Sequence, residues 1–297
     1  MKDKRVFIVY LISVFLCIFV VYGGCIFQFL YKNSINVEIK ETVLMEVNNL
    51  STSREKTQKL AIWFNESNIK YVPISDAFFN FFRYPWCLNT PEMTFFTRKG
   101  RCGEWSSLFM KMLNYTNITN RAVRFVEDHD IVEVLVDGNW VPVEPSGGIS
   151  SFDNYKTSKN ISKAFVIYDD NKQLDVTINY AETGFLSVRT TERKIISSNS
   201  KVCVFSKNLM FSDSKNYKKP FLSYCNYTNE FGIHVENIGK GIYDIEALKI
   251  HSPFECSYVK IENYILIPNT VNKIDLELIS ENPFSCFIKF INGLIFS

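Results

Sequence analysis

The sequence has little net charge and few histidines, and both shortages narrow the possible functions. Its 297 residues include 33 basic and 31 acidic side chains, so the formal net charge is +2. A surface with so small an excess of one sign gives no electrostatic reason to expect nucleic acid as a partner. There are three histidines. Because His234 and His251 lack the spacing of metal ligands, we expect neither a metal nor another cofactor.

Charged residues are missing from one long stretch near the N-terminus. From Val6 to Tyr31 the chain has 26 uncharged, mostly apolar residues, and three basic residues precede them. Such a run can cross a bilayer whose apolar core is about 30 Å thick, and the basic residues favour a cytoplasmic N-terminus. We therefore expect residues 1–31 to be a single-pass anchor in the cell membrane, with the rest of the chain outside the cytoplasm. A cleaved signal peptide is the alternative.

Two other features agree with an outward-facing chain. Cys203, Cys225, Cys256 and Cys286 form an even set in the C-terminal third, as expected of disulfides in an oxidising compartment, although their pairing stays open and buried thiols are an alternative. Sequons for N-glycosylation are the second feature, but several would arise by chance in a chain so rich in asparagine. They begin at Asn49, Asn65, Asn114, Asn117, Asn160 and Asn226.

The segment 97–105 places a cysteine at the start of a predicted helix. After Cys102 apolar residues recur at helical spacing; they are Trp105, Leu108, Phe109, Met112 and Leu113. Cys102 therefore lies at or just before the helix N-terminus, close to Lys99 and Arg101. The helix dipole and the two cations favour thiolate over thiol, so the pattern predicts a nucleophilic cysteine.

His129 and Glu144 flank a predicted β-hairpin. An alternating run over residues 131–136 leads into Asp137-Gly138, a pair typical of tight hairpin turns, and residues 139–143 form the return strand. The turn brings His129 and Glu144 to the same end of two paired strands. An imidazole oriented by a carboxylate can take the proton of a cysteine and return it later, which is the chemistry of a nucleophilic triad.

These segments together resemble the transglutaminase-like (papain-related) superfamily, and most of all its peptide:N-glycanase branch. Thr97-Arg98-Lys99-Gly100-Arg101-Cys102-Gly103-Glu104-Trp105 matches the cysteine motif of that branch, and Asp128-His129 followed by Glu133-Val134 matches its histidine strand. Segments 163–168 and 175–180 resemble the strands that close its core. The likeness covers roughly residues 58–195. It implies that Cys102 is the nucleophile, His129 the base and Glu144 the third member of the triad.

The chain departs from this branch in two respects. The family has aspartate where this chain has Glu144, so the carboxylate reaches one methylene further. The paired CxxC zinc ribbon of the eukaryotic enzyme is absent, because Cys87 is the only cysteine between the apolar N-terminal run and Cys102. This favours a smaller version without metal.

The resemblance also implies where a substrate binds. Main-chain N–H groups at the helix start, at Gly103 and Glu104, would stabilise the tetrahedral oxyanion, and the Trp105 indole is a further candidate. An aromatic cluster over residues 78–86, which includes Trp86, corresponds to a region that borders the substrate cleft in the resembling enzymes. A buried lid over the cysteine helix explains this cluster equally well.

The predicted fold is α+β: a transglutaminase-like core, with the cysteine helix packed on an antiparallel sheet, between an N-terminal transmembrane helix and a small C-terminal β-sandwich. The predicted divisions are an anchor (1–31), a stalk (32–57), a catalytic domain (58–198) and an immunoglobulin-like sandwich (199–297). The sandwich rests on short alternating strands after residue 200 and on a weak likeness of segment 233–239 to immunoglobulin-like domains of surface proteins.

The resemblance leads us to expect a membrane-anchored cysteine amidase that releases N-linked glycans from asparagine through the triad of Cys102, His129 and Glu144. Its partners would be a glycoprotein, glycopeptide or peptide substrate and the membrane. A cysteine protease or a transglutaminase on the same core is the first alternative, because the sequence does not distinguish water from an amine as acceptor. A catalytically silent surface binding protein is the second, and glutamate at position 144 is its main support.

Overall fold

The structure is a computed structural model that describes residues 2–72, 89–168, 172–208 and 221–295. The chain divides into two compact units. The first comprises Met1–Val123 and Asp130–Ser151, and the second comprises Arg124–His129 and Phe152–Ser297. The chain therefore passes from one unit to the other three times. The sequence instead predicted four successive divisions, with boundaries after residues 31, 57 and 198.

Helices and strands are mixed along the described chain, which confirms the α+β class. The helices are α1 (Lys2–Val47), α2 (Ser53–Glu66), α3 (Pro91–Thr97), α4 (Cys102–Tyr115), α5 (Phe152–Ser158), α6 (Thr177–Tyr180) and α7 (Pro283–Ile295). The strands up to β8 are β1 (Lys70–Tyr71), β2 (Lys99–Gly100), β3 (Asn120–Phe125), β4 (His129–Val136), β5 (Asn139–Glu144), β6 (Gly148–Ile149), β7 (Ala164–Ile167) and β8 (Gln173–Asp175). They are followed by β9 (Thr183–Glu192), β10 (Ile195–Ile196), β11 (Lys201–Ser206), β12 (Phe221–Tyr227), β13 (Ile233–Gly239), β14 (Gly241–Ser252), β15 (Glu255–Leu266) and β16 (Val271–Ser280).

Helix α1 continues past the predicted end of the anchor at residue 31. Four of its side chains share one face because they recur every four residues, and all four are buried; they are Ile35, Ile39, Val43 and Val47. They belong to one apolar core with residues of α2 and α4, so residues 32–47 are not the solvated stalk that was predicted. In the part of the chain that the structure describes, no helix is both long and apolar enough to cross a membrane. The transmembrane helix predicted over residues 1–31 is therefore not found there.

Helix α4 supplies much of the core of the first unit. Leu108, Phe109, Met112 and Leu113 are fully buried on one of its faces, which confirms the helical spacing. Helix α2 packs its own apolar residues into the same core. A reciprocal capping box fixes the start of α2, since the Thr52 N–H donates to the Glu55 carboxylate and the Glu55 N–H donates to the Thr52 hydroxyl, both at 3.1 Å.

Strands β3 to β8 form a six-stranded sheet in the order β6-β5-β4-β3-β7-β8. The predicted hairpin is confirmed: β4 and β5 pair antiparallel, with Val136 opposite Asn139. Asp137 and Gly138 have φ values of 52° and 79°, the left-handed conformations that a tight two-residue hairpin turn requires. This hairpin is the element that carries both His129 and Glu144.

One strand predicted from the family resemblance is wrong. Segment 175–180 is not a strand, because only Asp175 belongs to β8 and Thr177–Tyr180 form the short helix α6. The Asp175 carboxylate accepts hydrogen bonds from the Thr177 N–H at 2.9 Å and from the Thr177 hydroxyl at 2.5 Å. An aspartate that bonds the main chain two residues on favours a turn over an extended strand, which explains the difference.

The strands after α6 form one eight-stranded sheet. Strands β10-β9-β16-β15-β14-β11-β12 are neighbours in this order, and β13 pairs with β9. The predicted immunoglobulin-like sandwich is not confirmed. Strand β9, which was assigned to the catalytic domain, belongs to this C-terminal sheet. Its core is apolar and fully or nearly fully buried; it includes Leu186, Val188, Val202, Val204, Tyr243 and Ile245.

Two disulfides answer the pairing question that the sequence left open. Cys203 bonds to Cys225 across the adjacent strands β11 and β12, and Cys256 bonds to Cys286, which joins β15 to α7. Helix α7 was not predicted. Both disulfides lie in the second unit, and Cys102 takes part in neither.

Candidate active site

Cys102 is the first residue of α4, as the sequence predicted, and its side chain is half-buried. Arg101 is the N-cap of this helix, and the Glu104 carboxylate accepts a hydrogen bond of 3.0 Å from the Arg101 N–H. The first main-chain N–H groups of a helix have no partner within the helix and can bind an anion. The thiol therefore lies where a developing oxyanion can be bound by main-chain donors.

The backbone before Cys102 is fixed by a segment about 30 residues upstream in the chain. Strand β2 pairs in parallel with β1, so that Gly100 lies opposite Tyr71. The Val72 N–H donates to the Gly100 carbonyl at 3.1 Å, and the Arg101 Nε donates to the Val72 carbonyl at 3.2 Å. These bonds hold the chain on the N-terminal side of the nucleophile, and α4 holds it on the other.

The Trp105 indole packs tightly beside this backbone. A Cβ added at Gly100 would lie only 2.9 Å from Trp105 Cδ1, so the absence of a side chain at position 100 makes room for the ring. The ring centroids of Phe64 and Tyr71 lie 5.6 Å and 5.8 Å from that of Trp105, both edge to face. Trp105 Nε1 is buried and has no hydrogen-bond partner among the described residues. Trp105 thus places a buried indole N–H close to the start of α4.

The other predicted binding residues have different positions. Gly103 lies against Asp130, since a Cβ at Gly103 would be 2.9 Å from Asp130 Oδ2. The Glu104 carboxylate caps the helix, and a carboxylate cannot donate to an oxyanion, so only the main-chain N–H of Glu104 suits the predicted role. Trp86 and the aromatic cluster over residues 78–86 lie outside the described residues.

His129 is the first residue of β4 and is buried, with 8% of its surface exposed. Asp128 before it has a φ of 58°, a left-handed conformation that aspartate tolerates better than most residues. The His129 ring centroid lies 5.9 Å from that of Phe125.

Glu144 ends β5 and is half-buried. Val143 lies opposite Val132, so the next position along the hairpin places Glu144 beside Ile131. Glu144 therefore lies at the same end of the two paired strands as His129, as the sequence predicted. The tight turn after Glu144 is closed by a bond of 3.0 Å from the Gly147 N–H to the Glu144 carbonyl.

The cysteine helix is tied to the histidine strand by one hydroxyl. Ser106, one turn after Cys102, donates from Oγ to the carbonyl oxygen of Asp130 at 2.9 Å. Asp130 follows His129 directly. The contact fixes the first turns of α4 against the beginning of β4, on the side from which the Asp130 carboxylate approaches Gly103.

The sequence did not reveal that two carboxylates, those of Glu133 and Glu127, are buried in the structure. Glu133 is fully buried and pairs with Arg121 at 2.5 Å, and the Arg121 guanidinium lies 4.0 Å from the Trp140 ring centroid. Glu127, in the turn before His129, is 4% exposed. Glu133 was noticed only as part of the family motif. Nothing in the sequence marks Glu127, because a glutamate in a turn is usually exposed.

The described residues contain no group of histidine, cysteine, aspartate and glutamate side chains that could hold a metal ion. A thiol at a helix N-terminus, an imidazole and a carboxylate at one end of a hairpin, and main-chain and indole donors are groups that acyl transfer through a cysteine requires.

Comparison with known proteins agrees with this arrangement. Residues 41–145 match the model of the transglutaminase-like superfamily. This part of the chain is therefore a transglutaminase-like domain, and it includes Cys102, His129 and Glu144. The family model starts at residue 41, inside α1, and not at residue 58 as the resemblance suggested. No curated protein matches the chain.

The chain is also similar to solved structures. One is a candidate cysteine protease from Cytophaga hutchinsonii, with 12% identity, a TM-score of 0.31, and coverage of 68% of this chain and 50% of that one. Another is a candidate protease from Parabacteroides distasonis, with 12% identity, a TM-score of 0.36, and coverage of 87% and 53%. The major pilin subunit of Bacillus cereus matches with 14% identity, a TM-score of 0.22, and coverage of 54% and 55%. The chain thus spans about half the length of these structures.

Proposed function

We propose that this protein is a cysteine-dependent amide hydrolase that releases N-linked glycans from asparagine side chains. The observation that carries the proposal is the position of Cys102 at the first residue of α4, a helix bonded through Ser106 to the strand that begins with His129. The match of residues 41–145 to the transglutaminase-like superfamily supports cysteine chemistry. The choice of a glycan-bearing asparagine rests on the resemblance of segment 97–105 to the peptide:N-glycanase motif.

The reaction proceeds in two half-reactions. The Cys102 sulfur attacks the carbonyl carbon of the asparagine side chain as His129 takes the thiol proton. Main-chain N–H groups at the start of α4, together with the Trp105 indole N–H, stabilise the oxyanion. His129 then protonates the leaving glycosylamine nitrogen, and the C–N bond breaks to give a thioester.

Water completes the cycle. His129 takes a proton from the attacking water, the carbon–sulfur bond breaks, and aspartate leaves as the thiol is restored. Glu144 orients the imidazole and stabilises its protonated form, as the carboxylate of a triad does. With an amine in place of water, the same thioester gives a transglutaminase, and with a backbone amide as donor the same residues give a protease.

We also propose that the body of the protein lies outside the cytoplasm, at a membrane. Two disulfides in the second unit fit an oxidising compartment, and the uncharged run from Val6 to Tyr31 supports attachment. Alkylation of the native protein without reduction tests the compartment. Cys203, Cys225, Cys256 and Cys286 should all be protected, and alkylation of all four would contradict the proposal.

The activity is tested on a denatured N-glycopeptide with the full-length chain in mild detergent and Cys102→Ala as its control. Mass spectrometry would detect the released sugar and the conversion of asparagine to aspartate. Conversion that requires Cys102 establishes the glycanase. A cleaved peptide bond or a product joined to an added amine assigns the protein to the protease or the transglutaminase reaction. If Cys102 forms no thioester with any acyl donor, the protein is a binding protein with a silent cleft.

A further inference from the structure

The turn that carries His129 is held by residues far away in the sequence. Residues 126–128 form this turn, which joins β3 to β4. The turn belongs to the second unit. The strands on either side belong to the first unit up to Val123 and again from Asp130. The Val126 N–H donates to the Lys163 carbonyl at 3.1 Å. The contacts that stabilise this turn therefore come from the C-terminal half of the chain.

Glu127 makes the most extensive of these contacts. One oxygen of its buried carboxylate, Oε1, accepts hydrogen bonds from the Ser162 N–H and from the Ser206 hydroxyl, both at 2.9 Å. Ser162 precedes β7, and Ser206 is the last residue of β11. A single oxygen thus joins the histidine turn to two other segments. Glu127 Oε2 is buried without a hydrogen-bond partner in the described residues.

The two donors are themselves fixed. The Ser206 hydroxyl accepts from the Asn208 N–H at 3.1 Å, and Asn208 Oδ1 accepts from the Ile242 N–H at 3.1 Å. The Ser162 hydroxyl accepts from the Ser223 hydroxyl at 3.0 Å. Ser162 and Ser206 are both fully buried. Glu127 therefore bonds to two buried groups, Ser206 in the C-terminal sheet and Ser162 before β7, and not to surface side chains.

The buried environment of Glu127 disfavours the charged form of its carboxyl. Burial raises the pKa of its carboxyl, and this outweighs the hydrogen bonds from Ser162 and Ser206, which lower it. Glutamine has nearly the same shape, and its carbonyl oxygen can accept the same two hydrogen bonds. Glu127→Gln is therefore the conservative variant, whereas Glu127→Ala removes both bonds.

We infer that Glu127 is a positioning residue that fixes His129 by anchoring its turn to Ser162 and Ser206, so that the C-terminal sheet is part of the catalytic machinery. Glu127 does not act on the substrate itself, because it is buried and bonded to the scaffold. With residue 127 fixed and Asp128 in its left-handed conformation, the backbone at His129 has one path into β4. The inference rests on the proposed function, since it takes His129 to be the base.

The test measures the pairing of Cys102 with His129 without any substrate. Iodoacetamide alkylates thiolates, so the alkylation rate of Cys102 against pH, followed by mass spectrometry of its peptide, reports how thiolate formation depends on the imidazole. The full-length protein is compared with His129→Ala, Glu127→Ala, Glu127→Gln and Ser206→Ala. Thr190→Ala is the matched control, because the buried Thr190 hydroxyl donates to the Ser197 carbonyl at 2.6 Å within the same sheet.

We expect Glu127→Ala to give the alkylation profile of His129→Ala and to lower kcat roughly 10- to 100-fold with little change in KM, as misplacement of a catalytic group does. Glu127→Gln should keep the wild-type profile and kcat. Ser206→Ala should lower kcat by roughly fivefold, about the effect of one hydrogen bond. Thr190→Ala should lower the melting temperature and leave the pH profile unchanged.

The two failures are distinguishable. If His129→Ala has the same alkylation profile as the wild type, the proposed function falls, and the inference falls with it. If the His129→Ala profile differs from that of the wild type but Glu127→Ala and Ser206→Ala both keep the wild-type profile, only the inference is overturned. Should Glu127→Ala fail to fold, Ser206→Ala decides, because a wild-type profile and kcat in that variant contradict the positioning role.

Discussion

The Ser106 hydroxyl donates to the carbonyl oxygen of Asp130 at 2.9 Å, and this bond places the second turn of α4 against the start of β4. Along the chain, Ser106 follows Cys102 by four residues and Asp130 follows His129 by one. The nucleophile and the base of the proposed reaction thus each lie close in sequence to one end of a single hydrogen bond. Substitutions of Cys102 or His129 should therefore affect the reaction more than the fold.

Removal of the thiol should abolish turnover and leave the structure intact. Cys102 is half-buried and takes part in no disulfide, so Cys102→Ala leaves only a small gap at the first turn of α4. We expect no released glycan from a glycopeptide and a melting temperature close to that of the wild type. Retained activity in Cys102→Ala would exclude cysteine catalysis, and a large fall in melting temperature would show that the residue is mainly structural.

The length of the third residue should matter less than its charge. Glu144→Asp should stay within about tenfold of the wild-type kcat, whereas Glu144→Gln should lose roughly 10²-fold or more, because the amide cannot stabilise a protonated imidazole. Asp130→Asn is the matched comparison, since its carboxylate lies against Gly103 beside the nucleophile. Full activity in Glu144→Gln together with loss in Asp130→Asn would transfer the role to Asp130.

The two glycines beside Cys102 should respond differently to alanine. A Cβ at Gly100 would meet Trp105 Cδ1 at 2.9 Å, Glu104 Cβ at 3.1 Å and Thr94 Cγ2 at 3.2 Å, so Gly100→Ala should cost about 1–3 kcal/mol of unfolding free energy. At Gly103 the close contact is the Asp130 carboxylate at 2.9 Å, which can turn aside. Urea unfolding should show Gly103→Ala to be the milder change, and equal losses would contradict the packing described.

Replacing one partner of the buried ion pair of Arg121 and Glu133 should destabilise the protein more than replacing both. Glu133 is fully buried, so Arg121→Met removes the guanidinium that pairs with its carboxylate and should destabilise the protein by roughly 3–5 kcal/mol. Replacement of both residues by methionine should cost much less, because no buried charge is left. Denaturant unfolding of the single and double variants measures the difference. A double variant as unstable as the single one would argue against the pair as the cause.

Stability should depend on pH in opposite directions at two carboxyls. At Glu127 the folded-state pKa is raised by burial above the ordinary value of 4.5. The native state then binds more protons than the unfolded state as pH rises above 4.5, and stability falls. Glu127→Gln removes this dependence, so its advantage in unfolding free energy over the wild type should grow with pH and then level off.

Asp175 supplies the contrast. Burial raises the pKa of Asp175, but the hydrogen bonds from Lys163 and Thr177 lower it overall, to below its ordinary value of 3.8. Its contribution to stability is present above that value and is lost as pH falls through the lower folded-state pKa. Asp175→Asn should therefore lose stability at neutral pH and little in strong acid. Slopes of the same sign in the two variants would contradict the assigned environments.

Local patterns explain which parts of this structure the sequence predicts. Helix α4 and the β4–β5 hairpin follow from spacing and from the Asp137-Gly138 turn, because each is determined by neighbours within one element. Cys102 is consequently at the predicted helix start, and Glu144 is at the predicted end of the hairpin. The roles of these residues in catalysis stay predictions.

Burial by distant segments explains the failures. Ile35 and Ile39 have the same sequence spacing whether they face solvent or the core, and only α2 and α4 decide between the two. The family resemblance assigned Asp175 to a strand of six residues. The hydrogen bonds by which its side chain caps Thr177 cannot be recognised from a pattern of apolar residues. Glu127 could not be identified as buried, since its partner Ser206 is 79 positions away.

The distance along the chain between Glu127 and Ser206 determines when, during synthesis, the histidine turn can be fixed. The ribosome completes Cys102, His129 and Glu144 well before it makes Ser206, 79 positions after Glu127. At about 5–20 residues per second, several seconds pass before the last anchor of the histidine turn exists. If that anchor is required, the growing chain has its nucleophile but no aligned base during this interval. Glycans on a neighbouring nascent glycoprotein, or on the chain's own sequons, are then not released until synthesis has passed β11.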